Sequence, residues 1–197
     1  MDKNIKQVAL RAVKSAGKEL LRRFKNFNRN EIQMKSAHEI LTRADLASEK
    51  IIIGEIKKNF SEHRILSEEK GKIKGDFGYL WIIDPLDGTT NFSMHHPLWS
   101  ISVAIAYKGE IILGIIYAPF LAEMYVAKKG KGATLNGKKI KVSKIKGVKA
   151  LHTFCHGRSN KHIEKALAYL SKQKLDGFDC RQLGSAAIEL GFTAAGR

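Results

Sequence analysis

The sequence predicts an α+β fold in which helices pack against an antiparallel sheet. Apolar residues recur at helical spacing near the N-terminus, and short apolar strands joined by tight turns fill the middle of the chain. Strands that follow one another directly favour antiparallel pairing over a repeated strand–helix–strand unit. The chain has 197 residues, of which 44% are hydrophobic, so it can bury a sizeable core and is not typical of a disordered protein.

Four segments have the apolar spacing of helices. In the second of them, Ile51, Ile52 and Ile56 are expected to face inward. Between the first two, residues 26–41 are predicted to form a polar connector. The predicted helices span residues 3–26, 46–60, 159–173 and 184–197.

Short apolar or alternating runs bounded by turn residues predict the strands. One of them contains an Asn-Gly pair, which is typical of a two-residue hairpin turn. The same stretch, Gly132–Lys139, nearly matches a phosphate-binding P-loop. However, Lys139 replaces the hydroxyl that would bind Mg²⁺, and a strand follows instead of a helix, so the hairpin is preferred. The predicted strands lie within residues 64–69, 79–84, 100–107, 110–118, 123–129, 134–143, 150–157 and 176–182.

The chain is strongly basic, with 35 Lys and Arg against 19 Asp and Glu and a formal net charge of +16. Such a charge attracts nucleic acids and also small phosphorylated substrates. Most lysines are scattered, which favours a generally basic surface. The densest basic segment, residues 128–149, lacks the interleaved aromatic residues that stack bases in single-strand binders. A nucleic-acid partner therefore stays an open alternative.

The cysteine pattern and the terminal sequence indicate where the protein works. Cys155 and Cys180 have no C-x-x-C or metal-type spacing, which predicts a reduced intracellular protein with both thiols buried. The N-terminus is charged throughout and lacks the apolar core of a signal peptide. The most apolar long stretch, residues 111–127, is interrupted by glycine, proline and glutamate, so no membrane span is predicted. We expect a cytoplasmic protein.

Three acidic segments lie at the predicted ends of strands or starts of helices. They contain Asp45, the pair Glu68 and Glu69, and the pair Asp84 and Asp87. Isolated carboxylates are costly to bury, and hard divalent cations such as Mg²⁺ prefer carboxylate and carbonyl oxygens. The pattern therefore predicts a Mg²⁺ site.

The residues around the second aspartate predict a place for a phosphate. Pro85 fixes the backbone between the two aspartates, so that both carboxylates and the Leu86 carbonyl can face one point. Gly88 permits a tight turn and a close approach of the backbone, and the helix N-terminus expected there has N–H groups that suit a phosphate. A hydroxyl from Thr89 or Thr90 would lie in the same turn.

Other chemistries fit these residues less well. The EF-hand spacing of oxygen ligands is missing. His95 and His96 have no third ligand at zinc-site spacing and are expected in a loop. His152, Ser159 and Ser185 do not form a recognisable triad, and the G-x-S-x-G nucleophile elbow is missing.

The stretch WIIDPLDGTTNF, Trp81–Phe92, resembles the first signature of the inositol monophosphatase family of Mg²⁺-dependent, lithium-sensitive phosphatases. LTRAD and LSEE upstream, and HPLWSISVAIA, AKKGKGATLNGKKIKVS and RQLGSAAIELGFTAAGR downstream, resemble further blocks of that family. The resemblance covers nearly the whole chain. It implies a layered α-β-α-β-α sandwich, Mg²⁺ as cofactor, a small phosphorylated substrate and a homodimer.

Carried over residue by residue, the resemblance implies more than one metal site. Glu68, Asp84 and the Leu86 carbonyl would hold the first Mg²⁺, Asp84 and Asp87 would hold the second, and Glu68 would also contact a third. The implied catalytic residues are Asp45, Thr89 and Glu68, with Thr89 hydrogen-bonded to Asp45 to help activate the attacking water.

The resemblance also implies a substrate pocket. Backbone N–H groups of Gly88 and Thr89 would receive the phosphate beside Asp87. The remaining implied substrate-binding residues are Gly184, Ser185 and Ala186.

Members of the family continue for several tens of residues beyond the AAGR segment, with a Trp-Asp-x-Ala signature whose aspartate completes the second metal site. The resemblance thus implies an N-terminal α+β metal-binding subdomain at residues 1–150. Residues 151–197 would be the truncated beginning of a C-terminal α/β subdomain, so that the second sheet is incomplete. The expected function is Mg²⁺-dependent hydrolysis of inositol monophosphate or a similar small phosphorylated polyol. The alternatives are a related sugar bisphosphate, histidinol phosphate or nucleotide phosphatase, and a truncated, catalytically impaired RNA- or transcription-associated protein.

Overall fold

The computed structural model describes residues 3–36, 39–155 and 159–197. Its helices are α1 (Lys3–Lys25), α2 (Arg43–Asn59), α3 (Thr89–Ser93), α4 (Asn160–Leu175) and α5 (Ala186–Ala194). Its strands are β1 (Gln33–Ser36), β2 (Glu39–Leu41), β3 (His63–Ser67), β4 (Gly71–Ile73), β5 (Asp76–Asp87), β6 (Ser100–Tyr107), β7 (Glu110–Ala118), β8 (Glu123–Lys128), β9 (Gly132–Leu135), β10 (Lys138–Lys139), β11 (Leu151–Thr153) and β12 (Asp179–Arg181). Two 3-10 turns lie at Arg29–Glu31 and Gly147–Lys149.

Eight of the strands form one mixed sheet in the order β10-β9-β8-β7-β6-β5-β3-β4. Its neighbours are antiparallel except for β3 and β5, which run parallel. The prediction of an antiparallel sheet is wrong for this pair because the short strand β4, which the apolar pattern does not predict, reverses the chain before β5 begins. β11 and β12 form a separate parallel pair joined through α4.

Helices α1 and α2 cover one face of the large sheet. Strand residues alternate between the two faces, and Ile101, Val103 and Ile105 of β6 join the buried cluster that contains the apolar stripe of α1. The burial of each of these aliphatic side chains stabilises the folded protein by about 1.5–3 kcal/mol relative to leaving it exposed. Helix α5 lies over the other face, where Gly191 packs against the ring of Tyr125. The predicted α+β class is confirmed.

Helix α2 begins three residues earlier than predicted, because Thr42 caps it. Thr42 Oγ1 accepts a hydrogen bond from the Ala44 N–H at 3.1 Å, and the Asp45 side chain accepts one from the Thr42 N–H at 2.8 Å. This reciprocal arrangement is a capping box. Ile52 and Ile56 are fully buried, as predicted.

Two other sequence predictions are wrong. Residues 26–41 do not form a plain connector, because they contain a 3-10 turn and the β1–β2 hairpin. Cys180 is buried, but Cys155 is exposed. The hairpin turn between β9 and β10 is confirmed, with positive φ angles of 50° at Asn136 and 82° at Gly137. Of the predicted strand at 150–157, residues 156 and 157 lie outside the described residues.

In the part of the chain that the structure describes, the helices are all too short or too polar to cross a lipid bilayer.

Candidate active site

The parallel strands β3 and β5 bring two predicted carboxylates together at one edge of the sheet. Ser67 of β3 pairs with Ile83 of β5, and the N–H of Glu68 donates to the Ile83 carbonyl at 3.1 Å. The Glu68 carboxyl lies close enough to Asp84 for its negative charge to raise the pKa of Asp84. Glu68 is exposed, whereas Asp84 is only partly accessible. This pair of carboxylates is therefore accessible to solvent from the side of Glu68.

A bulge in β5 separates Asp84 from Asp87, since the pairing with β6 shifts register between them. Pro85 has no N–H to donate to the ladder, which suits a bulge. The Leu86 N–H donates to Asp84 Oδ1 at 3.1 Å, and the Pro85 carbonyl accepts a hydrogen bond from Ser48 Oγ at 2.7 Å. The backbone between the two aspartates is thus held from both sides.

The electrostatics of this cluster favour a cation. Burial, followed by the nearby negative charges of Glu68 and Asp87, raises the pKa of Asp84 from 3.8 to about 9. Burial also raises the pKa of Asp87. Carboxylate and carbonyl oxygens are the donors that Mg²⁺ prefers, and a divalent cation would offset the repulsion among these carboxylates.

The residues therefore fit Mg²⁺, and those that would hold it are Glu68, Asp84, Asp87 and the Leu86 carbonyl. Within the described residues, no three Asp, Glu, His or Cys side chains converge closely enough to form a metal site by themselves. The predicted first site does not require three, because it combines two carboxylates with a backbone carbonyl.

Thr89 and Asp45 meet beside this cluster. Thr89 Oγ1 lies 3.0 Å from Asp45 Oδ1 and 2.9 Å from the Leu86 carbonyl oxygen. The other oxygen of Asp45 accepts hydrogen bonds from the N–H and hydroxyl of Thr42 at 2.8 and 2.7 Å. Burial raises the pKa of Asp45 to about 6, although the hydrogen bonds from Thr42 and Thr89 oppose the shift. The predicted Thr89–Asp45 hydrogen bond is present.

Asp87 faces the start of helix α5, about a hundred residues along the chain. Its Oδ2 accepts hydrogen bonds from the hydroxyl of Ser185 and from the Ala187 N–H at 3.0 Å. Ser100 Oγ of β6 donates to the same oxygen at 3.3 Å. The positive end of the α5 dipole therefore stabilises a negative charge at Asp87.

Gly88 packs against the segment that precedes helix α5. Its φ of +87° and the closeness of the Leu98 and Gly184 carbonyl oxygens, 2.9 and 3.2 Å from where a Cβ would lie, exclude a side chain. Helix α3 begins at the next residue, Thr89, as the motif predicted. The structure thus brings Gly88, Thr89, Gly184 and Ser185 together; their roles in substrate binding stay predictions.

Three residues around the site were not singled out from the sequence. The first, Ser48, is the hydroxyl on the Pro85 carbonyl described above. Asn91 Nδ2 donates to the carbonyls of Leu98 and Leu183, each at 2.7 Å, and so ties the motif loop to the segment before α5. Glu49 is fully buried and accepts the Lys70 N–H at 2.9 Å, next to the acidic loop. Its spacing of four residues from Asp45 on one helix face was the available signal.

The histidines after the motif are loop residues, as predicted. His95 has a positive φ of 56°, and its ring packs against Phe24 and Phe27 with centroid separations of 5.5 and 6.2 Å.

Comparison with known proteins identifies the family. The model of the inositol monophosphatase family matches residues 1–197. The chain is 35% identical to the Nus factor SuhB of Vibrio cholerae over 193 residues, which cover 96% of this chain and 72% of that protein. It is 33% identical to the Nus factor SuhB of Escherichia coli K12, with the same coverage.

Solved structures show the same fold. The extragenic suppressor protein suhB of Bartonella henselae superposes with a TM-score of 0.91 at 31% identity, covering 99% of this chain and 76% of that one. An IMPase of Thermotoga maritima superposes with a TM-score of 0.84 at 32% identity, covering 100% of this chain and 74% of that one. These similarities confirm the family resemblance and the fold that it implied.

Proposed function

The chain belongs to the inositol monophosphatase family, and we propose that it forms the metal-binding part of a phosphatase for inositol monophosphate or a similar small phosphorylated polyol. Family membership supports a phosphatase. The observation that carries the finer proposal is the placement of Glu68 and Asp84 at one edge of the sheet, with Asp87 across the bulge, beside the hydrogen-bonded pair Thr89 and Asp45. We keep the division into residues 1–150 and 151–197 as part of the proposal.

In this proposal Glu68, Asp84, Asp87 and the Leu86 carbonyl hold Mg²⁺. When bound there, Mg²⁺ would lower the pKa of a bound water and would offset negative charge on the phosphate. The chain orients the phosphate with the backbone N–H groups at Gly88 and Thr89, at the start of α3. Lithium sensitivity and a homodimer are expected from the family.

Thr89 and Asp45 orient the attacking water. Thr89 has a single hydroxyl hydrogen, which it donates to Asp45 Oδ1 or to the Leu86 carbonyl, so its oxygen keeps lone pairs that can accept a hydrogen bond from a water. The pKa of Asp45 at about 6 keeps it ionised at neutral pH yet near the value at which a general base is efficient. Two hydrogen bonds from Thr42 fix its orientation.

Residues at the start of α5 form the substrate side of the proposed site. Ser185 is fully buried and its hydroxyl is engaged by Asp87, which supports a role in holding the Asp87 carboxylate. Gly184 and Ala186 are exposed on either side of it. We propose that these two residues border the polyol.

Phosphate release tests the proposal. The purified chain, with Mg²⁺, is offered inositol monophosphate, a sugar bisphosphate, histidinol phosphate and a nucleotide. We expect release to be fastest with inositol monophosphate, to stop with EDTA, to fall with Li⁺ and to be lost in Asp84→Asn. Faster release from another substrate would move the assignment to one of the alternatives, and no release from any of them would mean that this chain is not an active phosphatase by itself.

A second candidate function is association with the transcription machinery, with or without catalysis. The similar proteins of Vibrio cholerae and Escherichia coli are named Nus factors, and the net charge of +16 favours an anionic partner. Co-purification of the chain with a transcription complex, unaffected by Asp84→Asn, would support this candidate. Loss of association with that variant would tie both functions to one site.

A further inference from the structure

A lysine-rich edge of the large sheet takes no part in the proposed phosphatase chemistry. Residues 128–149 contain nine lysines and no Asp or Glu, in a chain whose net charge is +16. All nine are exposed. We define the lysine strip as the six that follow the β9–β10 turn: Lys138, Lys139, Lys141, Lys144, Lys146 and Lys149.

The fold gathers the lysine strip with other lysines at one corner of the sheet. The Ile140 N–H donates to the Ala133 carbonyl at 3.1 Å, so the chain continues past β10 alongside β9. It therefore approaches the β8–β9 turn, which carries Lys129 and Lys131. The segment rests on the body of the protein, since a Cβ added at Gly196 would lie 2.9 Å from the Lys141 carbonyl oxygen.

Few of these charges are compensated within the protein. In the described ranges, the single ion pair made by a lysine between residues 128 and 149 joins Lys129 to Glu110. Lysines on an edge strand often serve to block sheet-to-sheet association, which accounts for Lys138 and Lys139 in β10. Blocking of sheet association does not account for the four lysines beyond that strand. Their mutual repulsion lowers the stability of the folded protein unless a polyanion binds.

We propose that the lysine strip binds the phosphate backbone of a nucleic acid without reading its base sequence. Lysine is a compact point charge that contacts phosphates, whereas arginine supplies the bidentate contacts that read guanine, and residues 128–149 contain no arginine. They also contain no aromatic residue for stacking on unpaired bases, so a duplex backbone fits better than a single strand.

Other polyanions fit the strip less well. Membrane-surface segments are typically amphipathic helices with aromatic anchors, and residues 140–146 form neither a helix nor a strand and lack aromatic side chains. An acidic protein partner usually buries apolar anchors within a concave patch. Here Val142 and Ile145, which are 66% and 60% exposed, lie in the irregular segment beyond the edge strand β10 instead.

The strip is separate from the candidate active site. Four strand spacings lie between β9 and β5, which at about 4.8 Å each amounts to about 19 Å. The inference therefore does not rest on the proposed phosphatase, and the two can fail independently.

The test compares two charge-matched variants of the 197-residue chain. The strip variant carries Lys→Gln at positions 141, 144, 146 and 149. The control variant carries Lys→Gln at positions 18, 25, 50 and 58. These lysines are exposed on α1 and α2, the helices that cover one face of the sheet. Both lose four charges, and thermal unfolding checks that both stay folded.

Binding is measured by fluorescence anisotropy with duplex RNA and duplex DNA of two sequences each, and with single-stranded RNA, from about 50 to about 200 mM salt. Each phosphate contact adds about 0.9 to the slope of log affinity against log salt on duplexes. We expect the strip variant to lose about 3–4 from that slope and at least about tenfold in affinity, and the control variant to keep both. Comparing the RNA and DNA arms identifies which duplex is preferred.

Several results would overturn the proposal. Equal losses in the two variants would mean that binding reflects overall charge. Affinity that differs between sequences of one duplex type, or that is highest for the single strand, would mean that bases are read. Tighter, strip-dependent binding to polyglutamate or to anionic lipid vesicles than to duplexes would assign the strip to an acidic protein or a membrane.

Discussion

In the absence of metal, the Asp84→Asn variant is expected to be more stable than the wild type, by a margin that grows as the pH rises. Burial and the charges of Glu68 and Asp87 raise the pKa of Asp84 to about 9 in the folded protein. When the folded pKa of a carboxyl group exceeds its unfolded pKa, the group's contribution to stability is intact below the unfolded pKa. It is then lost steadily until the pH reaches the folded pKa. Asparagine has no proton to lose and escapes this cost.

The size of the effect follows from the two pKa values. The loss amounts to 1.36 kcal/mol per pH unit between about 3.8 and about 9, so the free energy of unfolding of the wild type falls by about 4 kcal/mol relative to Asp84→Asn from about pH 5 to about pH 8. In a chain of this size 1 kcal/mol corresponds to about 2–4 °C in Tm. The gap between the two Tm values should therefore widen by about 8–16 °C.

The assay is thermal unfolding in EDTA at both pH values, repeated with Mg²⁺. Asp176→Asn, at the exposed C-terminal cap of α4, is the control, and its Tm should follow the wild type. Mg²⁺ should raise the Tm of the wild type and of the control but not that of Asp84→Asn, because a ligand stabilises the folded state that binds it. A Tm gap that stays constant with pH, or an equal response of all three proteins to Mg²⁺, would refute the assignment of Asp84 to a crowded metal site.

Three further changes test neighbouring contacts. Thr89→Val should lower kcat for phosphate release by about 10²–10⁴-fold with little change in KM; a change in KM alone would contradict a role in orienting water. Asp87→Asn should weaken Mg²⁺ binding in calorimetric titration far more than Asp176→Asn does, and equal affinities would remove Asp87 from the metal site. Asn91→Ala deletes two hydrogen bonds of 2.7 Å and should cost about 2 kcal/mol, a fall of about 4–8 °C in Tm; an unchanged Tm would mean that the loop does not need this tie.

Local patterns were enough to predict most of the helices and strands. Helix α1 ends within one residue of the predicted 3–26, because its apolar stripe is long and regular. The hairpin β1–β2 and strand β4 are not predicted because these strands have only 3 or 4 residues each, too few to show an apolar alternation. The parallel pairing of β3 with β5 cannot be predicted because it depends on contacts between strands and not on the pattern within either of them.

The candidate site likewise contains some features that the sequence predicts and others that only the fold shows. Asp84, Asp87 and Gly88 belong to one short motif, so the sequence alone indicated their chemistry. The contact between Asp87 and Ser185 joins residues 98 positions apart, and spacing carries no information about such a pair. The resemblance to a family placed both residues in one site, but the hydrogen bonds that connect them come from the fold.

The parallel pair β3–β5 is also the reason why the acidic groups converge. Because parallel strands end at the same edge of a sheet, Glu68 after β3 meets Asp84 in β5, whereas an antiparallel pair would have separated them by a strand length. Helix α2 leads into β3 through a short turn and so runs back along the strand. The N-terminus of α2 therefore lies at the edge where β3 ends. Asp45 consequently serves two structures at once: one oxygen completes the helix cap at Thr42, and the other holds the Thr89 hydroxyl. The residue that begins the helix thereby fixes the group proposed to orient the water, which couples the stability of α2 to the geometry of the site.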